Sequence, residues 1–117
     1  MKKLAYTFRT CPIKADFVFG KIKQDLENFY ELILNKKPDI IIGYGNGEKN
    51  CFEKYAINVF HGKKIVKNGP DKYELFTPTK SNPKPTTSFC NYTTYKIKYF
   101  LSQNELNSKL VFKHLKK

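Results

Sequence analysis

The chain has 117 residues, 40% of them apolar, with ten Phe and eight Tyr; this is the size of one domain able to bury roughly two-thirds of its unfolded surface in a single core. The composition excludes global disorder, and no run approaches the ~18 apolar residues that cross a bilayer. The formal charge of +12 rests almost wholly on lysines spread from Lys2 to Lys117, with Arg9 the only arginine; base and phosphate readout favours the forked guanidinium, so the charge points to weak polyanion attraction rather than a dedicated nucleic-acid site.

In chain order, Lys3 to Thr10 alternates Leu4, Tyr6 and Phe8 with Ala5, Thr7 and Arg9, the pattern of a strand. After Cys11-Pro12, Lys21 to Asn35 carries Ile22, Leu26, Phe29 and Ile33 at helical spacing and is closed by Lys36-Lys37-Pro38. Asp39 to Ile42 is a short apolar run ending in Gly43, as in a strand covered on both faces of a parallel sheet. Strand, helix and strand together predict a right-handed βαβ unit. Cys51 to Phe60 reads as one further strand, with His61-Gly62 turning it into a hairpin with Lys63 to Lys67. Asn68 to Thr87 holds Pro70, Pro78, Pro83 and Pro85 and reads as a long ordered surface loop. A helix is predicted from Cys90 to Leu101, on Tyr92, Tyr95 and Tyr99, and a last strand from Lys109 to Leu115. The expectation is a single small α/β domain over residues 1–117, a mostly parallel sheet flanked by helices.

The start Met-Lys-Lys-Leu-Ala-Tyr-Thr-Phe-Arg lacks the apolar core of a signal peptide, which places the protein in the cytoplasm. Cys11, Cys51 and Cys90 form no CxxC pair, and an odd count leaves one thiol over in any disulfide scheme. His61 and His114 are distant from each other, so no zinc set and no cofactor is called for. What remains is a cysteine acting alone, as a small hydrophobe or as a nucleophile. At the first turn of its helix, Cys90 would have its thiolate favoured by free N–H groups and the positive dipole end. The same amides could receive the oxyanion formed when sulfur attacks a carbonyl. His114 suits a general base, and Glu53 could orient its ring. Gly43-Tyr44-Gly45-Asn46-Gly47 reads as a glycine-rich turn after a strand. It lacks both GxGxxG spacing and the Lys-Ser/Thr pair of a phosphate loop.

Three segments carry a family resemblance. Glu53-Lys54-Tyr55-Ala56-Ile57-Asn58 resembles a Glu-x-x-Ala-x-Asn signature, Cys90-Asn91-Tyr92-Thr93-Thr94-Tyr95 resembles a Cys-Asn-x-x-x-Tyr nucleophile motif, and Val111 to Leu115 resembles a closing strand with the catalytic His. In this order they are similar to the pyroglutamyl peptidase I, or pyrrolidone carboxyl peptidase, family of thiol peptidases. Val18-Phe19-Gly20-Lys21 and Lys37-Pro38-Asp39-Ile40-Ile41 extend the likeness, which reaches from about Tyr6 to Leu115. The resemblance implies Cys90 as nucleophile, His114 as acid and base, Glu53 as orienting carboxylate, and an N-terminally blocked peptide or small amide as substrate. It puts Gly45 in the active cleft, Asn91 beside the substrate, and Tyr73 and Phe76 in a loop, Gly69 to Phe76, that covers it.

The motif alignment also predicts losses. The family's N-terminal strand and its Gly-Phe-Glu-Pro-Phe loop, which helps hold the pyroglutamyl ring, find no counterpart. Lys63 and Lys64 stand near the place of an expected Arg, Lys84-Pro85-Thr86-Thr87 replaces small residues before the nucleophile, and the C-terminal helix is lost. A missing first strand would leave an open sheet edge, which a homo-oligomer would pair. The competing reading is a shortened, non-catalytic relative that binds a partner, such as a polyanion held by the lysines.

Overall fold

The computed structural model describes residues 1–79, 81–82 and 88–116. Its elements are β1 (Lys3–Phe8), β2 (Phe17–Phe19), α1 (Ile22–Lys36), β3 (Ile40–Gly47), β4 (Cys51–Glu53), β5 (Tyr55–Ile57), β6 (Lys72–Glu74), β7 (Ser81–Asn82), α2 (Phe89–Gln103) and β8 (Lys109–Lys116). Six strands form one sheet in the order β2-β1-β3-β8-β4-β7, and β5 pairs with β6 in a second, antiparallel one. Within the large sheet only β4 and β8 run antiparallel. This is the expected mostly parallel α/β architecture. Among the described residues, no helix is long and apolar enough to cross a membrane.

The alternation read in β1 sets which face is filled. Tyr6 lies fully buried, its ring edge-on to Phe19 at 5.1 Å and to Phe29 of α1 at 5.2 Å. Asp25 accepts from the backbone N–H of Gly20 and Lys21, which anchors the start of α1. At the other end Lys37 turns left-handed, with φ 46°, and its N–H returns to the carbonyl of Ile33; Pro38 then bars further helix. Between these stops Leu26, Phe29 and Ile33 form the buried stripe. Tyr30 stacks on Phe100 of α2 at 4.2 Å, so the two helices lie side by side.

Four expectations are corrected. Gly43 to Gly47 is not a turn but the second half of β3, paired along its length with β8. The predicted strand Cys51 to Phe60 breaks at Lys54 because its halves join different sheets: β4 lies against β8, while β5 lies against β6. The predicted hairpin shrinks to one bridge, Phe60 to Lys63, around His61 and Gly62. The side chain of Asn58 binds both the N–H and the carbonyl of Val66, which ties that segment into a loop and leaves β6 to pair with β5. Finally, β1 is not the outermost strand, since β2 pairs with Tyr6 to Phe8 on one side and β3 lies on the other, which moves the edge of the sheet to the short β2. The loop predicted over residues 68–87 contains β6 and β7; Lys84 to Thr87, with Pro83, lie outside the described residues.

Candidate active site

The register of β3 on β8 sets Gly43 beside Phe112 and Gly45 beside His114. Paired residues of neighbouring strands share a face, so the alternating glycines pave the strip between the phenol of Tyr6 and the His114 ring. A Cβ at Gly45 would lie 2.8 Å from Cys90 Sγ and 2.9 Å from Phe112 Cζ, and one at Gly47 would lie 2.8 Å from His114 Cβ. These positions have no room for a side chain because the start of α2 and the imidazole occupy it. From the other flank, Cys51 of β4 stands opposite His114, and alternation puts Glu53 on that same face.

His114 Nε2 approaches Glu53 Oε1 to 3.0 Å. Both residues are buried, with 8% and 5% of their surface exposed. Nε2 and Oε1 thus face each other as an ion pair, and no other described residue makes an aligned hydrogen bond to either ring nitrogen or either carboxylate oxygen. Nδ1 lies toward β3, 3.2 Å from where a Gly47 side chain would begin. The ring therefore spans from a carboxylate on β4 to Gly47 on β3. Each unpaired buried polar atom costs about 1–3 kcal/mol, and native proteins keep few of them. Beyond the ion pair, Glu53 Oε2 and His114 Nδ1 are left in this state, which marks the pair as a candidate site.

Cys90 is the second residue of α2, after Ser88 at the N-cap. The first turn-closing bond runs from Tyr92 N to Ser88 O, so the N–H groups of Phe89, Cys90 and Asn91 precede the helical ladder. Helix position alone predicted a thiol below its ordinary value. The reverse holds. Burial pushes the Cys90 thiol up to about 11, and the Glu53 carboxylate and Cys11 push the same way, against the Ser88 side chain and the Cys90 N–H. Desolvation outweighs the dipole because the half-buried sulfur sits over the bare strand at Gly45. One turn on, Thr94 Oγ1 lies 3.2 Å from the Tyr6 hydroxyl in a buried contact.

No family model matches the sequence, and no curated protein resembles it at a significant level. Solved structures do. The pyroglutamyl peptidase I from Bacillus amyloliquefaciens matches with a TM-score of 0.80 at 18% identity, over 99% of this chain and 80% of that one. The pyrrolidone carboxyl peptidase from Thermococcus litoralis matches at 0.74 and 18%, over 99% and 77%. A point mutant of the Pyrococcus furiosus pyrrolidone carboxyl peptidase matches at 0.76 and 20%, over 99% and 81%. The chain has the pyroglutamyl peptidase I fold. That fold takes in almost the whole chain, beyond the stretch from Tyr6 to Leu115 that the motifs reach.

On this pyroglutamyl peptidase fold, Glu53 and His114 meet from β4 and β8, Cys90 of α2 lines a small cavity together with Glu53, and Gly45 lies directly beneath the sulfur. Asn91 lines the same small cavity, but its amide is committed to the backbone: Oδ1 accepts from Ile57 N, and Nδ2 donates to Ile57 O and Val59 O. It clamps α2 to β5. Tyr73 packs on Tyr95 at 5.2 Å, and Phe76 is 42% exposed with Lys109 Nζ 4.6 Å above its ring. Neither lines the cavity; Leu75, between them, does. Sequence reasoning missed Thr94, one helical turn from Cys90, and Cys51, two residues before Glu53 on a strand. Those spacings were the available signal. Among the described residues, no three His, Cys, Asp or Glu side chains are arranged to hold a metal ion.

Proposed function

We propose that the protein is a thiol amidohydrolase that removes N-terminal pyroglutamyl, or similarly blocked, residues from peptides or small amides. The observation that carries this reading is the buried, otherwise unpartnered Glu53–His114 pair beside Cys90 on a pyroglutamyl peptidase fold. In this reading the resting nucleophile is a thiol, since burial raises it to about 11. Attack then needs a base. As the Sγ–C bond forms, the sulfur's proton passes to His114 Nδ1, and the imidazolium is held by Glu53 at Nε2. The carbonyl oxygen takes the negative charge within reach of the N–H groups that precede the helical ladder of α2. Collapse breaks the C–N bond, His114 returns its proton to the departing amine, and a thioester remains. Water, deprotonated by His114, cleaves the thioester and restores the thiol. No cofactor takes part, and three free cysteines suit the reducing cytoplasm.

The test is turnover of a pyroglutamyl fluorogenic amide by the wild type and by Cys90→Ala and His114→Ala variants. Turnover lost by about a thousandfold or more in both variants supports the triad; no turnover by the folded wild type overturns it. A second reading has its own support. The cavity beside Cys90 measures about 10 Å³, too small for a ring to enter without movement of its walls, as suits a relative that binds a partner without cleaving it. A Cys90 that alkylates only on unfolding, in a protein without turnover, would favour that reading.

A further inference from the structure

The small cavity is walled by Glu53, Tyr55, Leu75, Cys90, Asn91, Thr94 and Phe112. Its volume, about 10 Å³, is close to the least that admits one water molecule. Buried waters persist where two to four polar groups converge, and this cavity brings together the Glu53 carboxylate, the Thr94 hydroxyl and the Cys90 thiol. Glu53 is 5% exposed, and beyond its ion pair with His114 neither of its oxygens has a described hydrogen-bond partner. Asn91 cannot serve it, because both ends of its amide are bound to β5 and the segment after it. The Thr94 hydroxyl can. Thr94 lines the cavity, and one contact of its hydroxyl to Tyr6 leaves it able to make another.

We infer that this cavity holds one ordered water, shared between the Glu53 carboxylate and the Thr94 hydroxyl, and that Thr94 is a positioning residue acting on Glu53 through it. The water donates to the carboxylate and so satisfies an oxygen that the protein leaves bare. It also limits rotation of the carboxylate, which keeps Oε1 toward His114. The inference deepens the hydrolase reading, since it assigns Glu53 its support, but its test does not depend on turnover. The titratable groups facing Glu53 are His114 on β8, Cys51 on its own strand and Cys90 on α2; all three are retained in the variants below.

The experiment has two parts. A crystal structure of the wild type at about 1.2 Å resolution, fine enough to define ordered water, should place one within hydrogen-bond distance of Glu53 and Thr94. A dry or protein-filled cavity overturns the inference. Carbon-13 titration of the Glu53 carboxyl is then compared in the wild type, Thr94→Val and Thr94→Ser. Loss of a donor to a carboxylate raises its pKa, so Thr94→Val should titrate at least about half a pH unit higher, roughly a threefold change in the acid constant, and Thr94→Ser should restore the wild-type value. Equal titration in all three variants overturns the positioning role. The hydrolase reading fails separately, on absent turnover by a wild type that holds its water.

Discussion

The two halves of one sheet face are built to opposite rules. Under α1 the face is filled with rings: Tyr6, Phe17, Phe19 and Phe29 meet at centroid distances from 5.1 to 5.6 Å, the range in which aromatic pairs add to burial. Under the start of α2 the same face is emptied by glycines and holds a carboxylate and an imidazole without aligned partners beyond their own ion pair. Tyr6 belongs to both halves, ring to one and hydroxyl to the other. The difference teaches that the aromatic half supplies the stability that the polar half gives up.

The sharpest way to break this contrast is to empty the filled half. Phe29→Ala should cost about 3–5 kcal/mol of stability, read from the urea midpoint, while the pH dependence of Cys90 alkylation in the fraction still folded stays unchanged. Altered thiol chemistry would mean that the halves are not independent. Next in size is the clamp between them and β5. Asn91→Ala removes three hydrogen bonds from Ile57 and Val59 at about 1 kcal/mol each, so a loss on the order of 2–4 kcal/mol is expected, with faster hydrogen exchange at the Ile57 amide. A loss confined to activity would instead return Asn91 to the substrate. Filling the empty half is a smaller perturbation. Gly45→Ala sets a methyl against Cys90 Sγ and Phe112 and should cost about 1–3 kcal/mol as overpacking. It should also change the Cys90 alkylation rate severalfold, because the sulfur must move.

The aromatic half was legible in the sequence because it obeys local periodicity: Leu26, Phe29 and Ile33 repeat along a helix, and Leu4 and Tyr6 alternate along a strand. The polar half was legible only through its motifs, since Glu53 and His114 are brought together by the pairing of β4 with β8, and Cys90 reaches the cavity beside Glu53 from α2, which no local pattern encodes. The glycines misled for a physical reason. Glycine usually signals a turn, yet here it marks the close approach of another element to an extended strand. The strand through Lys54 misled likewise, because β-branched and aromatic content says nothing of which sheet a residue joins. The thiol was misjudged because helix position can be read from sequence and desolvation cannot.

The smallest expected effect tests that desolvation directly. Cys90 rises from 9.0 to about 11 in the folded protein, so between those values the unfolded chain releases a proton that the folded one keeps. Stability from this group is therefore complete below pH 9 and is lost as pH climbs to 11, at no more than about 1.4 kcal/mol per pH, or on the order of 2 kcal/mol in total. Tyr6, Tyr30, Tyr73, Tyr95 and Cys51 are also raised by burial, but they are common to the wild type and a Cys90→Ala variant and cancel in the difference between them, save the smaller part of the Tyr6 shift that Cys90 itself causes. Denaturation of both proteins at pH 8, 9, 10 and 11 should give a difference that is level up to pH 9 and then declines in the wild type alone. A level difference throughout would mean that the sulfur ionises as it does in water. The glycine strip would then be a wet rim, and the contrast between a filled half and a dry, emptied one would fail at Cys90 itself.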